Sequence, residues 1–380
     1  MEIAIASIVG LIVLFILYFE FRHIRVLFTT EEVYPLVKEK PEGINKYNVI
    51  IHLHTQFSFD SLGKPSDIKK AKADNNIDFV FITDHNNDDY KYFEEDGIFA
   101  GIEKNTPDGR LLLIGNRLKA ISHPNNLEFE HYKWKGEFSV DHMYELINVK
   151  DVIVWKKYMS ILTLLKNLLI LPFTRNIYRK WNSLIPLDNW MDLYFSRALG
   201  LKYFGGLDHH VKVVYQEHTH GILIPSYNSA FKWLVNRLYS KKPLLFKEDI
   251  LESLEKGNLI ITINGADGYF WASDHRDILI GLPGEKIDSG SYLNCSIEHK
   301  KPVIVALKKN NSIFLLTERK KFSYPVNEKG HYHFEVYEYD FKIGNIYFGV
   351  RPVIITNYFE VVDEIEICVE ELANKTEMEC

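Results

Sequence analysis

Short apolar runs, each ended by polar or turn-forming residues, recur from about position 46 and set the first expectation. "NVII" leads into His52, "FVFIT" into Asp84, "GIFAGI" into Glu103, "RLKAIS" into His123 and "KYFGG" into Leu207 and Asp208. Up to about position 215 these strand-like runs alternate with helical segments, residues 67–75 first and "DHMYELINVK" later, which predicts an α/β barrel. In the first run a period of two puts Ile50, His52 and His54 on one face and Val49, Ile51 and Leu53 on the other. The histidines then point into the barrel mouth. "KEDILESLEKGNLIIT" reads as helix, glycine cap at Gly257 and strand. After about position 290, "PVIVALKK", "SIFLLTER", "YHFEVYEYDF" and "IYFGVRPVIIT" predict strands of a small β-sandwich-like domain.

The N-terminus follows another pattern. Residues 3–19 carry no charge over 17 positions, the lower limit for a helix crossing a bilayer. No basic segment precedes them and no small-residue cleavage site follows, so a single-span transmembrane anchor is expected rather than a signal peptide. Arg22, His23 and Arg25 on the C-terminal flank place the body in the cytoplasm by the positive-inside rule. The expected division is an anchor over 1–25, a spacer with Pro35 and Pro41 over 26–45, a barrel over 46–285, a β-domain over 286–365 and an acidic tail over 366–380. Between His123 and Asp208 lies an insertion whose apolar stretch, 159–173, is interrupted by Lys166 and followed by Arg175, Arg179, Lys180 and Trp181. It reads either as a barrel helix with its loop or as a helix laid on anionic lipid, making 159–181 a second membrane contact.

Composition narrows the partners. Of 380 residues, 46% are hydrophobic and 25% charged, as in ordinary globular proteins. A formal charge of −6 argues against nucleic acid as a partner, yet leaves room for a small phosphorylated substrate beside a metal ion. Three cysteines show no metal-binding or pairing pattern.

Histidines and carboxylates delivered at strand ends are how a barrel of this class builds a metal centre. His52, His54, His85, Glu103, His123, Asp208 and His210 stand at or just past such ends, with Asp84 beside His85 and Asp60 a few residues beyond His54. Some have plainer readings: Asp60 as a helix cap, His123 as a loop residue, Asp84 as a group orienting the His85 ring. Two further H-x-H pairs occur. His218 and His220 follow the barrel strand and stand near its mouth, while His331 and His333 read as exposed residues of one sheet face.

Taken in order, "HLHTQFSFD", "ITDHN", "GIEKNT", "SHPN" and "GGLDHH" resemble the motifs of the polymerase and histidinol phosphatase (PHP) superfamily, over roughly residues 46–270. The resemblance implies a distorted (β/α)7 barrel, eight ligands (His52, His54, Asp60, His85, Glu103, His123, Asp208 and His210), Glu103 as a bridge between metals, and two or three divalent ions, zinc, manganese or iron. It also implies hydrolysis of a small-molecule phosphoester, with Glu103, Asp208 and a nearby histidine, His209 or His218, in catalytic roles. "SLEKGNLIIT", "GYFWAS" and "IITNYFEV" are similar to a narrower branch, the carbaryl-hydrolase-like proteins, which implies amide, carbamate or ester hydrolysis as the alternative. A third reading is a membrane-tethered binding module without turnover. Two departures stand out: "VKDVIVWKK", read as the strand that carries another ligand in that family, offers Val154 and Trp155 there, and Leu207 replaces a serine.

Overall fold

The computed structural model describes residues 2–30, 39–215 and 222–363. It is a mixed α/β structure. The N-terminal apolar run forms a helix, α1 (Glu2–Phe21). Among the described residues no helix is long and apolar enough to cross a membrane, so the expected anchor is not supported as a span. The last turn of α1 belongs to the body instead: Phe19 is buried, and Glu20 pairs with Lys166 at 2.7 Å and with Arg179 and Lys180. Lys166, the lone charge of the apolar stretch, lies in helix Lys157–Leu169 and is fully buried as Glu20's partner.

Two sheets carry the centre. One runs through β1 (Asn45–Leu53), β2 (Phe79–Ile82) and β4 (Ile98–Phe99), all parallel; α2 (Pro65–Asp74) connects the first two. The other contains β3 (Asp84–His85), β5 (Ile102–Thr106), β6 (Gly109–Ile114), β7 (Leu118–Ser122), β8 (Met143–Asn148) and β9 (Tyr203–Gly206), in the order β9-β8-β7-β6-β5-β3. Both edges of this second sheet reach the end of β1. On one side Thr83, between β2 and β3, donates to the Leu53 carbonyl at 2.8 Å. On the other, Leu207 and Asp208 donate to the Ile51 and His52 carbonyls at 3.1 and 2.7 Å. The C-terminal end of β1 is therefore where the two sheets meet.

Strict alternation of strand and helix fails between β5 and β7, which form an antiparallel meander. The connections are short: residues 107–108 with Pro107 and residues 115–117 with Gly115. Links of that length make hairpins, because a parallel return needs a crossover of a dozen residues. Two further expectations are corrected next to it. "DHMYELINVK" holds a strand, β8, whose six residues are all buried, and "VKDVIVW" is a helix, α3 (Val149–Trp155), rather than a strand. A strand covered on both faces shows no alternation to betray it. The Asn148 side chain accepts from the Asp151 N–H and starts α3 there.

β1 also pairs with β10 (Leu234–Ser240), which pairs with β11 (Leu259–Ile263). β11 in turn pairs with Arg351–Thr356, Ile260 standing opposite Thr356, so the sheet runs unbroken into the C-terminal strands. A four-stranded sheet including Asp267–Ser273 and Lys321–Val326 packs on these strands through Phe270 and Phe322 against Phe334. His333 is fully buried there, 3.0 Å from the Glu335 carboxylate, which Lys308 approaches at 2.8 Å. The expected exposed histidine pair is thus corrected: His331 is half-buried, and a charge partner holds His333 inside the sheet.

Candidate metal centre

β1 does not keep its alternation to the end. Ile51 pairs with Phe81 and Leu53 with Ile82, leaving His52 as the extra residue of a bulge, at φ +64°. His123 (φ +55°) and Asp208 (φ +45°) are also left-handed. Backbone of that kind costs energy outside glycine and persists where surrounding contacts over-determine it. They do so here: the Asp208 N–H donates to the His52 carbonyl and the His123 N–H to the Glu145 carboxylate at 3.0 Å.

These turns gather seven of the eight candidate metal ligands around the eighth, Glu103, which is fully buried. Its Oε2 lies 3.5 Å from His52 Nε2, 3.4 Å from His54 Nε2 and 2.9 Å from His85 Nδ1, and its Oε1 lies 3.3 Å from His123 Nε2. Asp208 Oδ1 is 3.6 Å from His52 Nε2 and 3.3 Å from His54 Nε2, with Oδ2 3.4 Å from His123 Nε2. Asp60 closes the open side, 3.6 Å from His85 Nε2 and 3.1 Å from His210 Nε2. Three groups have ligand atoms within 4.8 Å of one another: His54, His85 and His210; His52, His54 and Glu103; His52, His123 and Asp208.

A fit test comes from the atoms themselves. His52 Nε2, His54 Nε2, His123 Nε2, His210 Nε2, Glu103 Oε2 and Asp60 Oδ1 are buried and have no hydrogen bond. Buried polar groups are normally paired, so six orphans aimed at one volume need a shared partner. Ligands at about 2.0–2.2 Å from a zinc-like ion stand roughly 3.3–3.5 Å apart in a tetrahedron. Seven of the nine spacings above, at 3.3–3.6 Å, lie at or close to that range, and the mixed nitrogen and oxygen donors fit a divalent transition ion.

The outer contacts orient the donors. Glu145 accepts from His52 Nδ1 at 2.6 Å and, through its other oxygen, from Ser122 Oγ, the His123 N–H and Asn148 Nδ2, each at 3.0 Å. Asp151 takes His123 Nδ1 at 3.0 Å, and Ser58 Oγ lies 3.1 Å from His54 Nδ1. Asp84 turns away from the cluster and accepts both the N–H and the hydroxyl of Thr55, at 2.6 and 2.7 Å, pinning the loop after β1. Burial alone would lower the His52 ring and raise the Glu103 carboxyl. The facing carboxylates Glu145, Asp208 and Glu103 instead lift His52 to about 10, while His52, His123 and His85 hold Glu103 well below the usual carboxylate range. His54, buried and facing His210, is pushed well below its ordinary value.

His209 does not join this group. Its Nε2 faces the Pro225 carbonyl at 3.2 Å, and its ring packs between Tyr227 and Trp233. His218 and His220 lie outside the described residues. Val154 and Trp155 belong to α3; the strand between His123 and Asp208 is β8, and the polar residues it turns to the cluster are Glu145 and Asn148. Glu145, Asp151, Arg110 and Lys150 were all missed from sequence. One signal was available: a lone acid inside "MYELIN" is too costly to bury without a partner. The second glycine of "GGLDHH" has its reason here too, since a side chain on Gly206 would run into the Glu145 carboxylate.

A scan of protein families finds no match to the chain, and no curated protein matches it. Among solved structures, it is similar to a two-domain protein from Bacteroides vulgatus described as containing a predicted PHP-like metal-dependent phosphoesterase. The two are 13% identical, the match covers 85% of this chain and 98% of the other, and the TM-score is 0.29. So little of the two backbones superimposes that the likeness carries no weight for mechanism. The narrower carbaryl-hydrolase-like branch finds no support in these comparisons.

Proposed function

We propose that this chain is a metal-dependent hydrolase of the PHP type acting on phosphoesters. The observation that carries it is the set of six buried, unbonded donor atoms in one cluster, Glu103 Oε2 among them. His52 and His54 each have one ring nitrogen turned to Glu145 or Ser58, which leaves only Nε2 for a cation. The two ligand groups that share no residue are then His54, His85 and His210, and His52, His123 and Asp208, with Glu103 between them. The reading is therefore two divalent ions. When bound, they would supply Lewis-acid activation of water and of a phosphoryl oxygen.

The chain's own residues do the rest. Glu145, Asp151 and Ser58 fix ring orientation, so the donors need no reorganisation. Glu103 and Asp208, ionised and buried, supply the negative charge that holds cations in place. Phe59, 83% exposed, stacks on the His85 ring at 5.0 Å at the solvent edge of the site. For the membrane, the exposed row Ile8, Leu11 and Leu14 of α1 favours contact with lipid. Co-sedimentation with phosphatidylserine vesicles checks it, and protein left in the supernatant refutes it.

The functional test is turnover of a panel of phosphomonoesters, phosphodiesters, carboxylic esters and amides by purified, metal-loaded protein. Cleavage of phosphoesters with about two metals per chain supports the reading. Cleavage of carbonyl substrates alone replaces it with the alternative hydrolase. Tight metal without any turnover replaces it with a binding module.

A further inference from the structure

Two cations touch the acidic side chains of the centre, and neither can itself be a metal ligand. Arg110 of β6 reaches Glu103 Oε1 with Nη1 at 3.1 Å, and Lys150 of α3 reaches Asp208 Oδ1 with Nζ at 3.5 Å. They come from different elements and converge on one ring. The Arg110 guanidinium stands 4.6 Å from the centre of Tyr132 and the Lys150 ammonium 5.7 Å, while His123 stacks on Tyr132 at 4.5 Å. Their side chains are 12% and 24% exposed, so both lie at the rim with one side open. Arg110 Nε is buried without a hydrogen bond. Arg110 also lines a cavity of about 340 Å³ on its outer side, together with His131, Lys133, Lys135 and Glu130.

We propose that Arg110 and Lys150 form an anion subsite at the edge of the metal centre that takes the charged oxygens of a phosphomonoester. The inference rests on the metallohydrolase reading and narrows its substrate class. Charge makes the case. Glu103, Asp208, Asp60, Glu145 and Asp151 bring five negative charges to the cluster, and two divalent ions leave one uncompensated. A centre of that sign repels a phosphate dianion. The two fixed cations reverse the sign, and a guanidinium beside a point-charge ammonium suits a group with several equivalent oxygens. A neutral carboxylic ester has no use for them.

The test uses the full chain loaded with zinc or manganese and inorganic phosphate as the probe. Metal content is measured by mass spectrometry and phosphate affinity by calorimetry, for the wild type, Arg110→Gln, Lys150→Gln and Arg110→Lys. The expected result is unchanged metal content, phosphate affinity about tenfold weaker in each glutamine variant, and partial recovery in Arg110→Lys. Equal phosphate affinity at full metal content overturns the subsite and leaves the hydrolase reading standing. Loss of metal from the glutamine variants also overturns it, because the cations would then serve only to hold Glu103 and Asp208. A wild-type chain that takes up no divalent ion removes the hydrolase reading and this inference together.

Discussion

Replacing Glu145 with glutamine probes the centre without touching a ligand. The carboxylate accepts four hydrogen bonds, from His52 Nδ1 on one oxygen and from Ser122, His123 and Asn148 on the other. An amide of the same shape has one oxygen. If that oxygen keeps the three donors, the amide NH2 faces His52 Nδ1 and forces the proton onto Nε2, the atom aimed at the cluster. If it turns to His52, three buried donors face an NH2 group. Either way the His52 ring loses the charged partner that raises its basicity and fixes its tautomer. Loss of such an outer partner typically costs 10- to 100-fold in metal affinity, about 1.4–2.8 kcal/mol. The assay is competition between protein and a chromophoric chelator for zinc, with circular dichroism to show that the fold persists. Metal affinity within about twofold of wild type in a folded Glu145→Gln protein would refute the assignment of His52 as a ligand oriented by Glu145.

Three other outcomes follow from the same geometry. His210→Ala should lower bound metal by about one ion per chain, whereas His209→Ala should leave metal content unchanged and cost roughly 1–3 kcal/mol in stability, since its ring is packing between Tyr227 and Trp233; mass spectrometry and thermal melts separate the two. Gly206→Ala should destabilise the protein by about 1–3 kcal/mol and weaken metal binding, because the new methyl displaces the Glu145 carboxylate. Acid should unfold the chain between about pH 4.5 and 2. Burial alone would raise Glu20 and Glu335, but Lys166 and Lys180 hold Glu20, and His333 and Lys308 hold Glu335, at about 2, below the ordinary 4.5. Depressed carboxyls stabilise the fold above 4.5 and lose that contribution as pH falls towards 2. Near-UV circular dichroism with a flat signal across that window would contradict it.

Much of this arrangement was legible in the residues. The β1, β2, β7 and β9 runs with their terminal histidines and acids could be read because short apolar segments ended by turn residues leave few alternatives. The side chains gathered at Glu103 are those the ordered motifs singled out as candidates. What failed was anything set by contact across the chain. β8 is buried on both faces and carries no alternation, so its residues were read as helix and its Glu145 passed unseen. His209 sits in the middle of a histidine-rich motif, and nothing local shows that its ring turns to Tyr227 and Trp233.

By itself, then, the order of residues determined which side chains are the candidates for the chemistry, because donor type and strand-end position are local properties. The meeting of both sheets at the end of β1 decided the rest: which imidazole nitrogens face inward, which acid orients them, and that Arg110 and Lys150, 40 positions apart, stand over one tyrosine. Those choices rest on hydrogen bonds and charges between distant segments, which exist only once the backbone has closed around them.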